Sequence, residues 1–172
     1  MENALAATAA CAVSGIRPSV IEKALSEFSG VEHRLEFVAG INGAMYVNDS
    51  KGTNVDSTRV ALESFSEPVW LIMGGRDKGA PYRPLIKLIK AGVKGILLIG
   101  EAARRIRSEL KGSAPMYDCG TMGSAVKKAA GLASPGDVVL LSPACASFDQ
   151  FQNYEQRGKY FKKLVMNLKK HA

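Results

Sequence analysis

Val69-Trp70-Leu71-Ile72-Met73-Gly74-Gly75 is the stretch that decides the fold. Five apolar residues run into paired glycines without alternation, so a strand made from them must be covered on both faces. Ile96-Leu97-Leu98-Ile99 repeats the pattern and ends in Gly100, and Val138-Val139-Leu140-Leu141 repeats it again and ends in Ser142-Pro143. Helical patterns separate these runs at 55–65, 84–91, 101–110 and 121–131, and a short strand fits at 115–118. Strands alternating with helices predict an α/β fold, a doubly wound and mostly parallel sheet flanked by helices. Outward toward the start, residues 35–38 alternate as a strand does, Asn42-Gly43 signals a tight hairpin, and 44–47 supplies the return strand. An antiparallel hairpin near the N-terminus is therefore expected, preceded by a helix over 18–28 with Pro18 in its first turn.

The 172 residues, 47% hydrophobic and 23% charged, have ordinary globular composition, which excludes a disordered, collagenous or coiled-coil chain. No run of about 18 apolar residues offers a membrane-spanning helix. Cys11, Cys119 and Cys145 are unpaired in spacing and form no Cys/His ligand set, which argues against zinc or a disulfide framework and suits a reducing cytoplasm. Residues 4–13 are alanine-rich behind Glu2, so they read as a helix and not as a secretion signal. That helix opens without a cap or a preceding strand, from which the chain is expected to be part of something longer.

The net charge is +7. Six Lys/Arg fall within 155–172, but Phe151, Tyr154, Gly158, Phe161, Val165 and Leu168 form one apolar helical stripe. The lysines are then expected mostly on the wet face, and Tyr154 in the core. Nucleic-acid binding is set aside on this pattern, and an anionic small substrate fits the charge equally well.

In doubly wound sheets ligands bind beyond the carboxyl ends of the strands, which selects three loops. The first, Asn48-Asp49-Ser50-Lys51-Gly52-Thr53-Asn54, reads equally as an anion site before a helix or as turn chemistry with capping by Thr53 or Asn54. The second, Gly74-Gly75-Arg76-Asp77-Lys78-Gly79, is no Walker loop, but it places Lys78 and backbone donors at a strand end. The third runs from Ser142 to Phe151; Ser147 is expected to cap the long helix, and Cys145 to be a small buried residue. His33 reads as structural. Neither a catalytic triad nor paired glycosidase carboxylates are supported.

Taken in order, His33-Arg34-Leu35-Glu36 and these three loops resemble the Mur ligases, and the 142–151 run is most like the D-glutamate-adding members. The resemblance covers nearly all the chain. It implies a Rossmann-like C-terminal amino-acid-binding domain at 32–172, preceded at 1–31 by the helical end of the central ATP-binding domain. The family's central-domain phosphate loop is absent from the 172 residues, so no metal ligand is assigned and the piece alone is expected to be inactive. The implied reaction is ATP-dependent amide formation through an acyl phosphate, with Mg2+ held mainly by the central domain. Implied partners are UDP-N-acetylmuramoyl-L-alanine, D-glutamate and the two missing domains, with no nucleic acid, no membrane and a monomeric state. By the same resemblance Lys51 faces the acyl phosphate and is grouped as catalytic with His33. Thr53, Lys78 and Ser147 hold the carboxylates of D-glutamate. Tyr154 stands where the family usually has a phenylalanine packed on that amino acid. Asn3, Arg34 and Asp49 contact the nucleotide. A related amide ligase domain, such as a folylpolyglutamate synthase, and a stand-alone anion- or nucleotide-binding module are the rival readings.

Overall fold

A computed structural model of the chain describes residues 2–170, with side chains described from Ala4 onward. The chain divides into two compact units, Met1–Gly30 and Val31–Ala172. The first is a pair of helices, α1 (Glu2–Val13) and α2 (Pro18–Glu27). Between them Gly15 takes φ 77°, and the Gly15 and Ile16 amides close back onto Ala12 and Cys11 carbonyls. This is a helix C-cap that favours glycine.

The second unit is built on one six-stranded sheet in the order β1-β2-β6-β3-β4-β5. The strands are β1 (Glu36–Ile41), β2 (Ala44–Asn48), β3 (Val69–Gly74), β4 (Val93–Ile99), β5 (Met116–Gly120) and β6 (Val138–Leu141). The β1–β2 pair is antiparallel and all other pairings are parallel. Asn42 and Gly43 both have positive φ, 49° and 76°, as the tight hairpin joining β1 and β2 requires. The sheet is thus α/β and mostly parallel, with the expected hairpin at its edge.

The uninterrupted apolar runs are explained by the two layers of helices. Leu71 and Met73 of β3 point into a core shared with α3 (Val55–Glu63), α4 (Ile86–Gly92) and α5 (Ala103–Glu109). Trp70 and Ile72 point into the opposite core, shared with α6 (Met122–Leu132) and α7 (Tyr154–Lys169). β4 and β6 alternate in the same way, so every strand side chain from Ile96 to Ile99 and from Val138 to Leu141 is buried. Each such side chain removed from water stabilises by about 1.5–3 kcal/mol.

Two expectations, those for Ser147 and Tyr154, are corrected here, and Arg157 is placed. Arg157 is not on the wet face of α7; it is 1% exposed. It stands three residues after Tyr154 and four before Phe161, so helical spacing itself puts it on the buried stripe. Ser147 does not cap α7, because that helix begins at Tyr154 and is capped by Asn153, whose side chain accepts from the Gln156 amide. Tyr154 is only half-buried and lies outside the core. No described helix is long and apolar enough to cross a membrane.

Candidate functional site

β2, β6 and β3 are neighbours and run parallel, so their carboxyl ends release the three selected loops side by side. The helices that follow β2 and β6, α3 and α7, pack on opposite faces of the sheet. That divergence opens the crevice in which doubly wound proteins bind ligands.

The loops are tied together through backbone. The Ala144 amide donates to the Gly52 carbonyl at 2.9 Å, and the Gly74 amide to the Pro143 carbonyl at 2.9 Å. Arg76 and Ala146 exchange both backbone bonds, at 2.9 and 3.1 Å. Ala144 is held at φ 57°, a strained value for a residue with a side chain, of the kind that surrounding contacts must over-determine. Gly75 has no room for a side chain: a Cβ there would lie 2.3 Å from the Ala146 carbonyl oxygen.

Lys78 Nζ donates to Thr53 Oγ1 at 3.2 Å, so two of the sequence-selected residues meet although their loops are far apart in sequence. Ser147 is buried in the third loop, and its carbonyl accepts from the Gln150 and Phe151 amides. Asn54, not Thr53, caps α3, accepting from the Ser57 amide at 2.8 Å. Thr53 is thereby left to Lys78. Together these residues offer a cation, hydroxyls and backbone donors, the set that an amino-acid carboxylate needs.

A cavity of about 330 Å³ opens at the first loop, lined by Arg34, Asp49, Lys51, Gly52 and Asn54 among others. Asp49 is buried, and burial pushes its carboxyl up to about 6, although it accepts from Ser142 Oγ at 2.7 Å. Ser142 in turn reaches Thr58 Oγ1 at 3.0 Å, so the acid is anchored to the loop after β6 and through it to α3. Arg34 and Lys51 are both exposed at this cavity.

His33 sits beneath the same region and is 3% exposed. Its Nδ1 lies 2.9 Å from Asn48 Nδ2, which can only donate, so Nδ1 accepts and the proton is assigned to Nε2. Nε2 is the one buried side-chain polar atom without a hydrogen-bond partner among the described residues. The His33 carbonyl accepts from the Lys51 amide at 3.0 Å, linking the His33 turn to the first loop. Tyr154 meets the His33 ring edge-on, with centroids 6.1 Å apart. Asn3 lies outside the residues whose side chains are described.

Among the described residues one group has metal-ligand character, Glu32, His33 and Glu36. Lys162 Nζ already occupies it, at 3.0 Å from Glu32 Oε1 and 2.5 Å from Glu36 Oε1. A divalent ion would have to displace this ammonium, so the cluster does not fit one. Cys145 is buried as expected; burial raises its thiol to about 11, and it contacts the Tyr82 hydroxyl at 3.1 Å. A thiol so protonated is no nucleophile.

Sequence reasoning missed the buried groups that hold the loops: Ser50, Tyr82, Ser142 and Arg157. Only Arg157 carried a signal, its place on the helical stripe.

Comparison with known proteins gives a family. Residues 33–145 match the family described as "Mur ligase, glutamate ligase domain". The UDP-N-acetylmuramoylalanine--D-glutamate ligase of Acidobacterium capsulatum is 52% identical over 96% of this chain, and that of Myxococcus xanthus 49% over 95%. The chain spans 36% of the length of each. Among solved structures, a pseudomurein peptide ligase type C from Methanothermus fervidus superposes with a TM-score of 0.71 over 96% of this chain and 35% of its own, at 18% identity. That likeness speaks for the fold.

Proposed function

We infer function from membership: the chain belongs to the Mur ligase family, and its matched part is that family's glutamate ligase domain. The reading this supports is the C-terminal part of an ATP-dependent ligase. The enzyme joins D-glutamate to UDP-N-acetylmuramoyl-L-alanine, a cytoplasmic step of peptidoglycan precursor synthesis. Residues 1–31 belong to the end of the central ATP-binding domain and 32–172 form the amino-acid-binding domain. The working enzyme is a monomer that needs neither nucleic acid nor membrane.

The substrate's terminal carboxylate attacks the γ-phosphorus of ATP and ADP leaves. The amine of D-glutamate then attacks the acyl carbon, the C–O bond to phosphate breaks, and the nitrogen gives up a proton. The amino-acid domain is asked for positioning and charge neutralisation, which together carry most of the barrier reduction in such transfers. Lys78, Thr53 and Ser147 hold the carboxylates of D-glutamate, and Tyr154 flanks it. Lys51 faces the acyl phosphate. Arg34 and Asp49 line the cavity on the nucleotide side, and His33 supports that side from beneath; the nucleotide contact of Asn3 is taken from the family resemblance alone. Mg2+ neutralises phosphate charge when bound, and its ligands are assigned to the central domain.

The observation that carries this reading is the meeting of Lys78 and Thr53 across the ends of β3 and β2, with the loop that holds Ser147 leaving the strand between them. The test is phosphate release by the longer polypeptide carrying this chain, with ATP and UDP-N-acetylmuramoyl-L-alanine. Release that requires D-glutamate, and is not supported by L-glutamate, is expected. Equal release with both isomers sinks the assignment.

A further inference from the structure

Arg157 heads the fully buried side chains by volume, yet every hydrogen bond it makes is to a neutral oxygen. Nε donates to Ser50 Oγ at 3.0 Å, Nη2 to the Ser50 carbonyl at 2.9 Å, and Nη1 to the Cys145 carbonyl at 3.1 Å. Nη1 also lies against the second loop, where a methyl built on Gly75 would stand 3.3 Å from it. One guanidinium, carried by α7, therefore underlies all three strand-end loops. Ser50 also donates from its hydroxyl to the Tyr154 carbonyl at 2.8 Å, which pins the start of α7 to the first loop.

Burial is expensive for this group and pushes its pKa down to about 10, which leaves it charged at neutral pH. The neighbouring core is apolar, with Phe161 one turn on, and a methionine would fill the same space without a desolvation cost. What a methionine lacks is a rigid planar fork whose donors reach several fixed acceptors at once. The position is thus explained by geometry imposed on the loops and not by stability of the core.

We propose that Arg157 is a positioning residue for amide bond formation, setting the distance between Lys51 on the acyl-phosphate side and Ser147 on the D-glutamate side. It does so by holding Ser50 and Cys145 on one fork. The inference rests on the ligase reading above. Lys51 directly follows Ser50, and Ser147 lies two residues beyond Cys145. Attack of the amine on the acyl carbon joins reactants held by these two loops, and a misplacement of about 1 Å at such a step costs about 100-fold in rate.

The test uses the longer polypeptide with Arg157→Met, Arg157→Lys and Ser50→Ala. D-Glutamate and ATP kinetics are measured beside hydroxylamine trapping of the acyl phosphate without D-glutamate. For Arg157→Met the expected result is a fall of about 100-fold in kcat/KM for D-glutamate, with a raised KM and trapping close to the parent's. Arg157→Lys recovers little, because one ammonium cannot span three acceptors. Ser50→Ala moves in the same direction and covers the case in which both Arg157 variants fail to fold. Variants that lose kcat only in proportion to their folded fraction, at unchanged D-glutamate KM, overturn the inference. Full rescue by lysine overturns it too, since charge alone would then suffice. A parent enzyme without D-glutamate-dependent amide formation overturns the ligase reading and this inference with it. A working parent with indifferent variants overturns the inference alone.

Discussion

Lys78 Nζ and Thr53 Oγ1 stand 3.2 Å apart, a side-chain bond that joins the loops at the ends of β3 and β2 at the crevice. The ammonium has two further protons and, among the described residues, pairs with no acid, so it is placed to receive a carboxylate. Hydrogen bonds to charged groups contribute about 1.5–3 kcal/mol, or about 10- to 100-fold in affinity. Lys78→Ala in the longer enzyme is therefore expected to raise the KM for D-glutamate by that factor and to leave the KM for ATP nearly unchanged. Initial-rate kinetics over both substrates checks it, and equal changes in the two constants count against a carboxylate partner at this position.

Asp49 makes a prediction about pH. Burial raises its folded carboxyl to about 6, against about 3.9 in an unfolded chain. The folded state therefore binds the proton more tightly. The favourable contribution is complete below the unfolded pKa and is lost as pH rises through about 6. The loss corresponds to about 2–3 kcal/mol. Asp49→Asn keeps the shape and cannot ionise, so its stability should be flat where the parent declines between about pH 4 and 7, the window set by the unfolded and folded values. Denaturant midpoints at the two pH values decide, and a carboxyl that titrates near 4 by carbon NMR sinks the prediction.

The parallel sheet was legible because Leu71, Ile96 and Leu140 each lie in runs with no polar break, and only two-sided coverage allows that. The hairpin was legible because Asn42-Gly43 has few other conformational uses. The loop residues were found because strand ends and loose charge coincide at Lys51 and Lys78. The rest depended on contacts between residues distant in sequence. That Arg157 is buried follows from helical spacing, but what satisfies it, Ser50 and the Cys145 carbonyl, is fixed only by the fold. The placement of Ser147 misled because a serine after a strand reads as a helix cap. The chain instead spends six residues on a separate turn before Asn153 opens α7.

At the opposite end of the sheet, Asp137 gathers three donors on one oxygen: Trp70 Nε1 at 3.1 Å, Lys94 Nζ at 2.7 Å and the Ser134 amide at 2.9 Å. Burial works to raise its pKa, but the Lys94 ammonium and the two N–H donors outweigh it and hold the carboxyl below its ordinary value. The stability this supplies is present above the unfolded pKa and is lost as pH falls through the folded one. Asp137→Asn should cost about 1–3 kcal/mol at neutral pH. At acid pH, once the folded carboxyl has taken up its proton, the difference from the parent should shrink, since both are then uncharged. Equal losses at both pH values would show that packing, not charge, is at stake.

Gly158→Ala sets two effects of known size against each other. In the middle of α7 alanine is the better helix former by about 1 kcal/mol, so propensity favours the change. The new Cβ, however, would fall 2.3 Å from His33 Nδ1 and 2.9 Å from Cε1. The ring has nowhere to retreat. It is buried, its backbone already sits at φ 67°, and Nδ1 is engaged by Asn48 Nδ2. Overpacking at such a site costs about 1–3 kcal/mol and breaks the Asn48 bond as well, so the clash outweighs propensity. The variant should unfold at lower denaturant than the parent. His33→Ala, which removes the ring, should then rescue Gly158→Ala, with a coupling of about 1–3 kcal/mol in a double-mutant cycle. Additive losses would mean that α7 shifts bodily to admit the methyl. Since α7 also carries Arg157, that outcome would show the packing beneath the three loops to be looser than these contacts imply.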